Sequence, residues 1–138
     1  MILVDTGPLV AAADDDDRHH RACVELLGTD AEFAVPGMVI AEVCYLLQSR
    51  AGSKVEAAFL RLFAVGKLVV VEAAPDDFHR MADLVERYAD LPLGGTDAAV
   101  VAIAERLGVA TVATLDRGHF SIVRPRHASA FTLLPSGL

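Results

Sequence analysis

Four acids stand alone in stretches that carry no other charge. Asp5 is the only charge in Met1–Ala13, and Glu42 is the only one between Phe33 and Leu47. Asp97 is the only one from Leu91 to Ala104, and Asp116 closes a run that is otherwise uncharged from Leu107 on. Segments this apolar are built to be buried, and a carboxylate held in low dielectric is costly unless it is paired or coordinates a cation. No Lys or Arg stands within these stretches to pair with them. If the four converge, a hard divalent ion is the natural partner, because carboxylate oxygens suit Mg²⁺ and Mn²⁺. The chemistry this implies is metal-assisted hydrolysis.

Each acid also has a plainer role. Asp5, before Thr6-Gly7-Pro8, can cap a turn. Asp97 can be a first-turn acid favoured by the helix dipole. Glu42 can be a solvated residue on a helix flank, and Asp116, before Arg117-Gly118, an ordinary turn residue. The quartet is more specific than its members, because all four interrupt uncharged segments.

The elements that must position them follow from periodicity and punctuation. Ile2 to Asp5 reads as a buried strand stopped by Thr6-Gly7-Pro8, and Leu9 to Ala13 as the start of a helix. Asp14 to Asp17 precede a helix over Ala22–Leu27, closed by Gly28. Phe33–Val35 is a short strand. Pro36 opens a helix to about Arg50, with Ile40, Val43, Cys44 and Leu47 on one stripe and Glu42 on its flank. Ser53 to Glu56 reads as a capping box for a helix ending at Gly66. A strand over Leu68–Val71 and a helix from Pro75 to about Ala89 come next. Thr96 is positioned to cap a helix from Asp97 to Leu107, stopped by Gly108. Strands follow at Val109–Ala113 and Ala130–Leu134. Strands alternating with helices predict an α/β sandwich with a mostly parallel sheet.

In such sheets ligands bind outside the carboxyl ends of the strands. That rule places Asp5 and Asp116 at one edge. Asp97 reaches the same edge only if the strand before its helix is missing or runs the other way.

Composition narrows the class. The chain has 138 residues, 54% of them apolar, with a mean hydropathy of +0.43. This suits one domain whose sheet is buried on both faces, or one with a large partner interface. No apolar run reaches the length of a membrane span, and the first strand is too short and too quickly charged for a signal peptide, so a cytoplasmic protein is expected. Cys23 and Cys44 lack metal-site spacing and read as core thiols. The net charge of −7 argues against nucleic acid. Its distribution does not, because no acid follows Arg117, while Arg117, His119, Arg124, Arg126 and His127 form a basic edge beside Asp116.

Several motifs fail. Counting from Asp14, an EF-hand would need Gly and Glu where His19 and Glu25 stand. Gly94-Gly95 belongs to no phosphate-binding signature. His19-His20 lacks zinc-ligand partners at suitable spacing. A receiver domain needs paired acids at its first strand and a late Lys, but Asp5 is single and no Lys follows Lys67. A haloacid-dehalogenase-like phosphatase needs D-x-D where Asp5-Thr6-Gly7 stands.

Taken together, ILVDTG at the N-terminus, Glu42 in VIAEVCYLL, GGTDAAVVAIAERLG and VATLDRGHF resemble a PIN domain, and within that family the VapC-type toxin ribonucleases. The resemblance runs from Met1 to about Phe131. It implies a single PIN-like domain over residues 1–138, folded as a three-layer α/β/α sandwich with a mostly parallel sheet of about five strands. It also implies a Mg²⁺ cofactor, with Mn²⁺ as substitute, held by Asp5, Asp97 and Asp116, with Glu42 holding a metal-bound water or a second ion. The four acids are then the catalytic set of an endoribonuclease that leaves 5′-phosphate and 3′-hydroxyl ends. Thr6, Thr114, Arg117 and His119 are the candidate RNA contacts. Gly118 departs from the basic residue expected after Asp116-Arg117. The implied partners are a VapB-type antitoxin, an RNA of the tRNA or rRNA class and a second copy of the chain, with no membrane. Two alternatives keep the fold: a PIN-like module that binds RNA or protein without cutting, and an RNA-processing PIN nuclease without an antitoxin. The presence of all four acids argues against the first, and the short chain against the second.

Overall fold

The computed structural model describes residues 1–138. Five strands, β1 (Ile2–Val4), β2 (Phe33–Pro36), β3 (Leu68–Val71), β4 (Thr111–Ala113) and β5 (Thr132–Leu134), form one sheet in the order β3-β2-β1-β4-β5. Every pairing is parallel. The helices between them are α1 (Thr6–Ala13), α2 (His20–Leu27), α3 (Gly37–Ala51), α4 (Ser53–Ala64), α5 (Pro75–Arg87), α6 (Gly95–Leu107) and α7 (Arg117–Ile122). The chain first winds outward from β1 to β3 through α1–α4. Then α5 and α6 carry it back to β4, on the other side of β1. Parallel crossovers are right-handed, so α1–α4 cover one face of the sheet and α5–α7 the other. This is the expected three-layer sandwich, and the reversal of strand order between β1 and β4 is the kind of crevice where such sheets bind ligands.

The apolar content goes where both layers need it. Leu3, Val4, Ala34, Val35, Val112 and Ala113 are buried in the sheet. In α6 every residue from Ala98 to Ala104 is buried, because the helix lies between the sheet and α5. α5 and α6 run antiparallel, clamped by ion pairs between the start of one and the end of the other. Arg80 donates two hydrogen bonds to Glu105, at 2.7 and 2.9 Å, and Arg106 donates to Asp77 at 2.8 Å. Burial alone would raise the Glu105 carboxyl, but Arg80 and the backbone N–H of Arg126 hold it below the usual range. Both cysteines are free, and Cys23 is buried with its thiol pushed up to about 11 by burial and by Asp17. No helix is long and apolar enough to cross a membrane.

Local punctuation departs from the sequence reading in four places. Thr6-Gly7-Pro8 is the first turn of α1 and not a turn before it, since Pro8 needs no N–H there. The Ser53–Glu56 capping box does not form. Gly52, at φ +87°, bends the chain directly from α3 into α4 and leaves Ser53 inside the helix. Thr96 likewise sits inside α6, whose N-cap is Gly94. Residues from Arg117 on, read as a basic edge, begin with the six-residue helix α7.

Gly108 ends α6 with φ +68°, and nothing lies within 4 Å of where a Cβ would stand. The cost of a side chain there is therefore only that of the left-handed backbone. Gly108→Ala is expected to destabilise the fold by about 1 kcal/mol, read as a melting point lowered by a few degrees. An unchanged melting point would mean that the helix end relaxes at no cost.

Candidate metal centre at the sheet crevice

The carboxyl ends of β1 and β4 lie side by side, and Asp5 continues their ladder by donating its N–H to Ala113 O at 2.9 Å. Asp5 is buried at the N-terminus of α1. Thr114 follows β4, is fully buried, and donates its N–H to Leu134 O of β5 at 2.9 Å. Its hydroxyl then joins two acids: it donates to Asp5 Oδ2 at 2.9 Å and accepts the Asp116 N–H at 2.9 Å. Asp116 caps α7, its Oδ1 accepting the His119 N–H at 3.0 Å. The plain capping role and the place in the acidic group therefore belong to the same residue.

Asp97 arrives from the opposite layer. No strand separates α5 from α6, which satisfies the condition for Asp97 to reach this edge. His119 Nδ1 lies 2.8 Å from Asp97 Oδ2 and 2.9 Å from Asp116 Oδ2. Glu42 projects from α3 and accepts the Thr6 hydroxyl at 3.0 Å. All four acids, with Thr6, Gly7, Leu115, Arg117 and Gly118, line one cleft of about 670 Å³.

The electrostatics match a cation-binding site. Burial pushes the Asp5 carboxyl up to about 6, reinforced by the charges of Asp97 and Glu42 and opposed by the Thr6 backbone and the Thr114 hydroxyl. Burial also raises Asp97, with Asp116 and Glu42 adding to it and His119 opposing. Burial would lower the His119 imidazole, but Asp97 and Asp116 outweigh it and hold the ring above its ordinary value. Two carboxylates about 5 Å apart repel by roughly 3 kcal/mol at an effective dielectric of about 20. Against four acids the cleft offers one imidazole. The other basic residue, Arg117, turns its guanidinium away to the carbonyls of Leu133 and Pro135. One ligand atom each from Asp97, Asp116 and His119 lie within 4.8 Å of one another, and that donor set fits a divalent metal ion.

The basic edge read from the sequence is thus mostly turned inward. Arg117 ties the site loop to β5, His119 faces the acids, and His127 Nε2 lies 2.7 Å from Val109 O. Arg124 and Arg126 are the two that remain exposed. Of the candidate RNA contacts, Thr6 and Arg117 line the cleft, while Thr114 lies buried beneath Asp5.

In sequence Gly7 is only turn chemistry, yet it serves the site. A Cβ there would stand 3.1 Å from Leu115 Cβ, so its absence lets α1 approach the loop that carries Asp116. A pairing between distant loops leaves no local signal by which sequence could reveal it. At Gly118 a Cβ would meet only Asp116 Oδ1, at an ordinary 3.8 Å, so space does not force glycine there.

Thr114→Val keeps the shape and removes the hydroxyl, leaving the Asp116 N–H without its acceptor. Mn²⁺ affinity measured by calorimetry is expected to fall about 10- to 100-fold, as when other groups that orient metal ligands are lost. An unchanged affinity would mean that the hydroxyl serves packing alone.

Comparison with known proteins finds similar chains. The PIN domain family matches residues 2–124. Ribonuclease VapC26 of Mycobacterium tuberculosis is 35% identical over 135 residues, covering 97% of this chain and all of that protein. Among solved structures, Mycobacterium tuberculosis VapC20, described as a sarcin-ricin loop cleaving toxin, superposes with a TM-score of 0.74 at 19% identity, over 81% of this chain and 87% of that one. VapBC2 from Rickettsia felis, bound to a DNA fragment from its promoter, superposes with a TM-score of 0.69 at 18% identity, over 96% and 97%.

Proposed function

Because this chain belongs to the PIN-domain family and, within it, to the VapC ribonucleases, we propose that it is the toxin of a toxin–antitoxin pair, an endoribonuclease whose four acids hold Mg²⁺ or Mn²⁺. The observation that carries this reading is the convergence of Asp5, Glu42, Asp97 and Asp116 on one cleft with a single imidazole to balance them. Asp5, Asp97 and Asp116 would hold the ion, and Glu42, oriented by the Thr6 hydroxyl, would hold a water or a second ion. The ion would lower the pKa of a water so that, once deprotonated, it can attack phosphorus in line, and would neutralise charge on the phosphate. The protein's own part is to fix the carboxylates before RNA arrives. Thr114 does so for the Asp5 carboxylate and anchors the Asp116 backbone, and the α7 cap holds the Asp116 carboxylate. The substrate is a structured RNA of the tRNA or rRNA class, cut to leave 5′-phosphate and 3′-hydroxyl ends, in the cytoplasm.

The same reading includes a VapB-type antitoxin and a second copy of the chain as partners. Exposed apolar side chains such as Tyr45, Leu60, Val65 and Phe78 support it, as does a recess of about 240 Å³ between α1, α2 and α4 lined only by hydrophobic side chains. Co-expression with the neighbouring reading frame is expected to yield a stable complex that is inactive on RNA, while the freed toxin cuts RNA to ends that ligate only as 5′-phosphates. Products with 5′-hydroxyl ends would overturn the hydrolytic mechanism. A chain indifferent to that neighbour would overturn the toxin assignment.

A further inference from the structure

We propose that His119 is a nitrogen ligand of the bound cation, so that this cleft favours ions that accept imidazole, such as Co²⁺, over Mg²⁺. The inference rests on the metal-centre reading and goes beyond its four acids. His119 stands in the first turn of α7, three residues after Asp116, and its backbone N–H is already bound to Asp116 Oδ1 at 3.0 Å. Its position is therefore set by the main chain of a capped helix and not by a long mobile side chain. Nδ1 lies 2.8 Å from Asp97 Oδ2 and 2.9 Å from Asp116 Oδ2, so a nitrogen and two carboxylate oxygens from three residues face one another.

A role in contacting an RNA phosphate would require the ring to leave both acids, and only 22% of the side chain is exposed.

The chemical consequence is selectivity. Mg²⁺ takes oxygen ligands and holds its waters tightly, whereas imidazole suits later transition ions. Co²⁺ binds more tightly than Mg²⁺ to most sites, so a preference in the wild type alone decides nothing. The change in that preference when nitrogen is removed does.

The test is calorimetric titration of the full, antitoxin-free chain with MgCl₂ and with CoCl₂, in the wild type, His119→Ala and His119→Asp, with the visible Co²⁺ absorption recorded alongside. His119→Ala is expected to lose at least about tenfold in Co²⁺ affinity with a much smaller change for Mg²⁺. His119→Asp restores an oxygen donor, so it is expected to keep Mg²⁺ binding and lose the Co²⁺ preference, with a shifted Co²⁺ spectrum. Its thermal melt shows whether the fold is kept. Equal losses for both ions in His119→Ala, or an unshifted Co²⁺ spectrum in a folded His119→Asp, would overturn the assignment of His119 and leave the four-acid site standing. A wild type that binds neither ion saturably would overturn the metal centre itself.

Discussion

Asp97→Asn and Asp5→Asn are each expected to reduce RNA cleavage to the background of a protein-free reaction while the chain stays folded. Asn keeps the shape of the side chain and an oxygen that accepts hydrogen bonds, so the Thr114 hydroxyl retains its partner at position 5 and the His119 ring retains one at position 97. What is lost is the charge that holds a divalent ion. A ribonuclease working through a metal-activated water has nothing to replace it with, since no carboxylate beyond the remaining three of the quartet lines the cleft. Cleavage rates from a labelled structured RNA, with circular dichroism as a check on folding, measure this. Substantial activity in either folded variant would remove that acid from the catalytic set.

The second large effect concerns stability in the absence of metal. The Asp5 carboxyl titrates at about 6 in the folded chain against 3.8 for an ordinary one, chiefly because it is buried. Between these values the folded state holds a proton that the unfolded state has released. Stability from this group is therefore greatest below about pH 4 and falls as pH rises to about 6, with no further loss above. A move of that size corresponds to about 3 kcal/mol. Metal-free Asp5→Asn is accordingly expected to melt several degrees above the wild type at pH 7, and to match it near pH 4. Mg²⁺ is expected to stabilise the wild type progressively, by about 2.7 kcal/mol at a hundredfold excess over its dissociation constant, and to do little for the variant. If Asp5→Asn instead strongly destabilises the metal-free chain, Asp5 is a structural cap, and its place in a shared site has to be given up.

These effects depend on features of unequal visibility in the sequence. Asp5, Glu42, Asp97 and Asp116 stand out because each interrupts an uncharged run, and burial of such runs is the safest inference from composition. The parallel sheet follows from alternating strand and helix patterns. The arrival of Asp97 at the same edge does not. It depends on the absence of a strand between α5 and α6, which the family resemblance implies and local pattern does not. α7 escaped because it is six residues long and contains Gly118. The directions of Arg117 and His119 escaped for another reason. Their partners, Leu133 and Pro135 for one and Asp97 for the other, lie 16 to 22 residues away in sequence. A charged residue beside a candidate site looks the same in sequence whether it points out to a phosphate or in to a carbonyl. The caps misread at Ser53 and Thr96 share one cause: in both cases a glycine just upstream takes the cap position.

The central claim is that one cleft of four acids works through a divalent ion, and chelation followed by restoration tests it most directly. Antitoxin-free protein is incubated with a structured RNA in Mg²⁺ or Mn²⁺, then with excess EDTA, then with the ion restored beyond the chelator. The account predicts cleavage, its arrest and its return at the original sites. Cleavage that continues unchanged in EDTA would contradict it.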